Sequence, residues 1–228
     1  MIHLELIRHG QPEWAPGGHC VNDPDLTELG RAQAQHVAES LAAKSFDGFY
    51  VSPLKRAVQT AAPIAQRLQL EPRILPWLAE LGHQDLEGRP EAEATAYFAE
   101  LTSRELEHWW HGPPGGEPFR DFDRRVCTGM EALLAECGAR PRDGDGHRIW
   151  DCAEGDQQLL IVAHGGTIGN LISHLLDIDN VPWMYERFKL GLGGICRLAT
   201  SPLAGGMTWN LRTFNEREHL RGLPDPPG

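Results

Sequence analysis

Apolar and polar side chains alternate along Ile2, His3, Leu4, Glu5 and Leu6, the period-two pattern of a strand, and Gly10-Gln11-Pro12 ends it as a loop. A second apolar run, Leu159-Leu160-Ile161-Val162-Ala163, stops in the same way at His164-Gly165-Gly166-Thr167. Between these runs the period changes. Thr27 reads as the N-cap of a helix with Leu29, Ala34, Val37, Ala38 and Leu41 on one face, 46–51 as a strand, and the residues after Ser52 as a helix with Ala57, Ala61, Ile64 and Leu68 inward. Pro63 is expected to kink or break that helix, because its ring removes an amide and clashes with the preceding turn. Ile74-Leu75 is a candidate short strand. Phe122, Val126, Met130, Leu133 and Cys137 recur at helical spacing, as do Ile168, Leu171, Ile172, Leu175 and Leu176. Two late strands, 194–198 and 208–212, are joined through 201–206 and predict an antiparallel side to the sheet.

A strand, a helix and a strand in succession imply a parallel unit. The predicted fold is a three-layer α/β/α sandwich with a mostly parallel central sheet, an antiparallel edge and a helical lid insertion at about 89–117. The lid stretch is polar but carries Tyr97, Phe98, Trp109 and Trp110, which are expected to pack it down. The loop 11–25 is too rich in glycine and proline for regular structure, and 140–156 reads as an exposed loop or hairpin. Residues 1–221 are expected to form a single domain, with 222–228 as a loose tail.

Composition narrows the functional classes. A chain of 228 residues can bury a sizeable core, and a net charge of -11 argues against nucleic acid or an anionic membrane as a partner. Any anion pocket must then be a local basic island. The five cysteines, Cys20, Cys127, Cys137, Cys152 and Cys196, lack the close pairing of a zinc site and read as reduced thiols. No signal-peptide pattern precedes the first strand and no apolar run approaches membrane-spanning length, so a cytoplasmic protein is expected.

The chemistry gathers where strands end. Arg8 and His9 stand at the carboxyl end of the first strand, and His164 occupies the same position after the later one. Each histidine precedes a glycine, which lets backbone approach a ligand, and Thr167 can cap a helix whose first amides face an anion. Ser52-Pro53-Leu54-Lys55-Arg56 carries a further arginine into the first turn of a helix. Two strand-end histidines with these arginines point to one anion site.

In these residues the chain resembles the histidine phosphatase superfamily, also called the phosphoglycerate mutase-like family. The resemblance rests on Arg8-His9-Gly10, on Ser52-Pro53-Leu54-Lys55-Arg56-Ala57-Val58-Gln59-Thr60-Ala61, on Leu78-Ala79-Glu80 and on Ala163-His164-Gly165-Gly166, in that order, over about 2–176. Asp85-Leu86-Glu87-Gly88 looks like the family's Trp-Glu-Gly turn with Leu86 in place of Trp. The loop after Gly10 departs: Gln11-Pro12 and Pro16 stand where many members have Glu-Thr or Glu-Ser and an Asn, and His19-Cys20 where they have Gln-Gly.

The resemblance implies a metal-independent phosphomonoester hydrolase that acts on a small phosphorylated metabolite through a phosphohistidine, with no cofactor. It implies His9 as nucleophile, Arg8, Arg56, His164 and Gly165 around the phosphate, and Glu80 as proton donor and then base, although Asp85 and Glu87 lie close enough in sequence to compete for that role. Two further readings stand beside this one: a mutase using the same residues, and a silent binding protein on the same fold. The absence of an obvious basic substrate-gripping stretch favours hydrolysis. The substrate itself and the oligomeric state, a homodimer among the options, are left open.

Overall fold

Strand β1 (Ile2–Arg8) is shielded on both faces, with Leu4, Leu6 and Ile7 fully buried. The computed structural model describes residues 1–224, so most of the tail expected at 222–228 lies outside the described residues. After β1 come α1 (Glu28–Ser40), β2 (Gly48–Val51), α2 (Lys55–Leu68) and β3 (Arg73–Ile74). The lid helices α3 (Glu91–Ser103) and α4 (Leu106–Trp109) precede α5 (Phe119–Glu136), the strands β4 (Ala139–Gly144) and β5 (His147–Cys152), then β6 (Gln157–Ala163) and α6 (Gly165–Leu175). A short α7 (Met184–Arg187) leads to β7 (Ile195–Leu203) and β8 (Gly206–Glu216).

One eight-stranded sheet runs in the order β3-β2-β6-β1-β7-β8-β5-β4. The first four strands are parallel to one another and the rest pair antiparallel. Thus β1 and β2 are parallel as the strand, helix, strand pattern implied, but β6 lies between them. Successive side chains of a strand point to opposite faces, and each face of this sheet has its own core. Leu4 and Leu6 join Phe122, Val126, Met130, Ile168 and Leu171 from α5 and α6, whereas Ile7 joins Val37, Ala57 and Ile64 from α1 and α2. The three-layer sandwich follows. Glu5, which interrupts the apolar run of β1, is also buried, and its carboxylate is paired with Lys44 and Arg197.

Thr27 caps α1 by accepting the Gly30 amide at 2.9 Å, a bond worth about 1 kcal/mol. Leu29 is only half-buried, and Gln33 takes the inward place beside Ala34. Helix α2 does not break at Pro63 but runs on to Leu68. A proline inside a helix costs about 3 kcal/mol. Burying Ala61 and Ile64 on either side of it offsets a large share of that, and Pro63 itself sits on the half-exposed side.

The polar stretch 140–156 is a hairpin, β4 with β5, that extends the sheet through β8 rather than hanging loose. The late strands are longer than their apolar patterns suggested and meet at a two-residue turn, Ala204-Gly205, where φ is +50° and +72°. Positive φ at both residues suits the right-handed twist of the flanking strands. None of the five cysteines is disulfide-bonded. Among the described residues no helix is long and apolar enough to cross a membrane.

Candidate active site

Four neighbouring parallel strands deliver the predicted residues to one edge of the sheet. In the register of β1 with β6, Arg8 lies opposite Ala163, so His9 and His164 each stand one residue beyond it. Their rings are 5.0 Å apart, inclined at 60°. Val51 of β2 lies opposite Val162 of β6, and the Ser52 amide donates to the Val162 carbonyl at 3.0 Å, which starts α2, and with it Arg56, beside His164. Past β3, a single 3-10 turn at Pro76–Leu78 carries the chain to Glu80.

The loop after His9 is held by close backbone packing. A Cβ on Gly10 would come within 2.5 Å of the Gly30 carbonyl oxygen, so this approach to α1 is open only to glycine. The Gly10 amide donates to Thr60 Oγ1 at 3.0 Å, and Thr60 Oγ1 donates in turn to the Arg56 carbonyl at 2.7 Å. One threonine thereby ties the His9 loop to the helix that carries Arg56.

His9 is buried, and its Nδ1 lies 2.7 Å from the Gly10 carbonyl oxygen. A carbonyl can only accept, so Nδ1 carries the proton and Nε2 of the neutral ring keeps its lone pair. Burial, then Arg56, then Arg8 hold the His9 pKa well below 6.5; only the Gly10 carbonyl pulls the other way. His164 is held well below 6.5 too, first by burial and then by the charges around it, so it is neutral in the free protein. Ser52 Oγ lies 2.6 Å from His164 Nε2.

Both arginines are desolvated, which lowers their pKa values from the ordinary guanidinium range, while Glu80 opposes the shift in each. Arg8 is anchored through Nη1 to the Leu190 carbonyl. Arg8 Nε, Arg56 Nε, Arg56 Nη1 and His164 Nδ1 are buried without a hydrogen-bond partner among the described residues. An unpaired buried donor costs about 1–3 kcal/mol, more when charged, and the three guanidinium nitrogens beside two neutral histidines make a receptor for an oxyanion.

The Glu80 carboxylate lies against the start of α6. Its Oε2 accepts the Gly166 amide at 2.8 Å and its Oε1 the Thr167 amide at 3.0 Å. The turn that presents it is clamped by Arg125, which donates to the carbonyls of Trp77 and Ala79 at 2.9 and 3.0 Å and is itself held by Glu117 at 2.7 Å. Asp85 and Glu87 point elsewhere, to the Asn22 side chain and the Asn22 amide. Of the three carboxylates close in sequence, Glu80 is the one brought to the site. It also lines a cavity of about 500 Å³ that runs from Arg8, Gly165 and Gly166 under the lid.

Residues 4–142 match the model of the histidine phosphatase superfamily (branch 1). The chain belongs to this superfamily. It is 32% identical over 225 residues to the glucosyl-3-phosphoglycerate phosphatase of Mycobacterium tuberculosis, covering 93% of each chain. It is 33% identical over 196 residues to a 2,3-bisphosphoglycerate-dependent phosphoglycerate mutase of Methylobacterium sp. (strain 4-46), covering 78% of this chain and 84% of the mutase. A solved mycobacterial glucosyl-3-phosphoglycerate phosphatase in complex with VO3 superposes with a TM-score of 0.70 at 30% identity, over 93% of this chain and 98% of that one.

Two residues of this chain touch the site without having been singled out in the sequence. The Trp14 ring covers Arg56, whose guanidinium carbon is 4.9 Å from its centroid, and Asp23 Oδ1 lies 3.8 Å from Arg56 Nη1. Both belong to the loop that departs from the family pattern. A half-exposed tryptophan in a polar loop close after Arg8-His9-Gly10 was the available signal. Of the lid aromatics, Tyr97 packs with Cys20 and Leu86 and Trp110 against Phe119 and Trp183, as expected of a packed lid. Phe98 and Trp109 instead line the cavity. Among the described residues no group of three or more His, Cys, Asp or Glu is arranged to hold a metal ion.

Proposed function

We propose that the protein is a phosphomonoester hydrolase for a small phosphorylated metabolite, working through a phosphohistidine at His9. The observation that carries this reading is the neutral His9, its Nδ1 committed to Gly10 and its Nε2 free, close to buried arginine nitrogens that lack a hydrogen-bond partner among the described residues. Arg8 and Arg56 would bind the non-bridging oxygens and screen the charge that repels a nucleophile. His9 Nε2 attacks phosphorus; the P–O ester bond breaks, its electron pair stays on the leaving oxygen, and Glu80 supplies that oxygen's proton. Water then attacks the phosphohistidine and gives a proton to Glu80, the P–N bond returns its pair to Nε2, and inorganic phosphate leaves. With Ser52 donating to His164 Nε2, His164 carries its proton on the unpartnered Nδ1 and adds a donor for a phosphate oxygen. The Gly165 amide, at the start of α6, would add a backbone donor for the same anion.

Residues 1–221 act in this reading as one domain, with 89–117 as its lid. The net charge of -11 supports a small-molecule substrate over nucleic acid, and five unpaired cysteines fit the cytoplasm. The relationship to a mutase supports a second reading, in which the phosphoryl group passes to another hydroxyl instead of water.

The test is a panel of phosphorylated metabolites scored for free phosphate against isomerised product, together with rapid acid and base quench after labelling. Phosphate release with an acid-labile, base-stable adduct on the native chain, absent in a folded His9→Ala variant, supports hydrolysis through His9. Isomerised product without phosphate release would select the mutase, and near-native turnover by His9→Ala would overturn the nucleophile.

A further inference from the structure

The cavity beside the candidate phosphate site has a mainly apolar wall to which six aromatic side chains contribute. Phe98 and Trp109 come from the lid, Phe119 and Phe122 from α5, and Tyr185 and Phe188 from the segment around α7. Its volume of about 500 Å³ falls within the range of pockets that enclose a metabolite-sized ligand.

Its position relative to the chemistry says which part of a substrate would enter. Phosphoryl transfer places the attacking and departing atoms roughly in line, so the ester oxygen leaves on the side away from His9. Glu80, the donor to that oxygen, lines the cavity together with Arg8 and Gly166. The group attached to the departing oxygen therefore extends into the aromatic chamber.

The charges on the wall are already engaged. Arg104 donates to the carbonyls of Gly112 and His108 at 2.8 and 2.9 Å, and Lys189 is 3.2 Å from Glu186. A second anionic group on the substrate would have to compete with these contacts for Arg104 and Lys189, and a sugar would leave hydroxyls facing rings. Asn170, buried on the same wall, adds an Nδ2 donor without a hydrogen-bond partner among the described residues.

We infer that the leaving group is an apolar alcohol, arylalkyl or branched hydrocarbon in character, and that the preferred substrate is its monophosphate rather than a phosphorylated sugar acid or amino acid. This inference rests on the phosphatase reading above, and it concerns what lies beyond the phosphate.

The experiment measures kcat/KM for phosphate release along a series from ethyl to hexyl phosphate, with 2-phenylethyl phosphate, 3-phosphoglycerate and phosphoserine as further arms. Each methylene buried should raise kcat/KM about fourfold. 2-Phenylethyl phosphate should exceed both 3-phosphoglycerate and phosphoserine at least tenfold. A flat alkyl series, or faster turnover of 3-phosphoglycerate or phosphoserine, overturns the inference while leaving the phosphatase reading intact; no phosphate release from any ester, with no labelled adduct, removes both. Phe98→Lys, at a half-exposed position of α3, gives an internal ratio insensitive to general damage. It should shift the ratio of 3-phosphoglycerate to hexyl phosphate turnover more than tenfold toward the acid, and an unchanged ratio counts against the cavity as the leaving-group site.

Discussion

Glu80 and Gly166 share a space with no room for a methyl group: Glu80 Oε2 accepts the Gly166 amide at 2.8 Å, while a Cβ on residue 166 would lie 2.6 Å from Glu80 Oε1. The atom in the way is the end of a flexible side chain, so Gly166→Ala should displace the carboxylate and spare the fold. Displacement of a reacting group by about 1 Å can cost about 10²-fold in rate. We expect a loss of that order in kcat for alkyl phosphates with an unchanged melting temperature. Native kcat in this variant would mean that the carboxylate's position does not matter to the reaction.

The leaving group separates Glu80 from its neighbours. A general acid matters most when the departing oxygen is strongly basic, as in an alkyl phosphate, and least for nitrophenyl phosphate. Glu80→Gln should therefore slow alkyl phosphates more than nitrophenyl phosphate by about 10²-fold. Asp85→Asn and Glu87→Gln, whose carboxylates bond to Asn22 away from the site, should show no such gap. Equal slowing of both substrates by Glu80→Gln would make Glu80 a positioning group instead.

Acid should weaken the fold before it protonates His9. His9 and His164 have native pKa values well below the 6.5 of an unfolded histidine, chiefly through burial. Above pH 6.5 both states leave them neutral and nothing is lost; below it the unfolded chain binds protons that the native one refuses. Stability then falls by about 1.4 kcal/mol per pH unit for each histidine until the native pKa is reached. Denaturant melts from pH 7.5 to 5 measure the slope. Over the same range the acid limb of kcat/KM, after correction for the substrate phosphate's own ionisation at about pH 6, should show no inflection near 6.5, and one that remained would mean that a group other than these buried histidines titrates in the reaction.

Vanadate should stabilise the native chain, because a ligand that binds only the folded state raises its stability by mass action. At about 100 times its dissociation constant the gain is about 2.7 kcal/mol, or about 5 to 10 °C in melting temperature for a chain of this size. Arg8→Ala and Arg56→Ala should each abolish the shift. Loss in only one variant would mean that the other guanidinium does not face the anion.

Much of this was legible in the sequence by itself. Alternating apolar residues ending at Arg8-His9-Gly10, a continuous apolar run ending at His164-Gly165, and a helix opening with Arg56 are local patterns set by the needs of a single strand or helix, and they named both arginines and both histidines. The tertiary structure decided which strand ends meet: β6 lies between β1 and β2, and that register sets the His9 and His164 rings 5.0 Å apart. It chose Glu80 over Asp85 and Glu87, because the choice depends on the amides at the start of α6, far along the chain. It let α2 continue through Pro63, where burial against the sheet outweighed a local penalty, and it joined the polar 140–156 stretch to the sheet by backbone pairing that needs little apolar pattern. The aromatic cavity came last, since Phe98, Phe122 and Tyr185 sit on three separate segments. Periodicity records the face that a residue turns toward the core, whereas a pocket is defined by which distant segments stop short of touching.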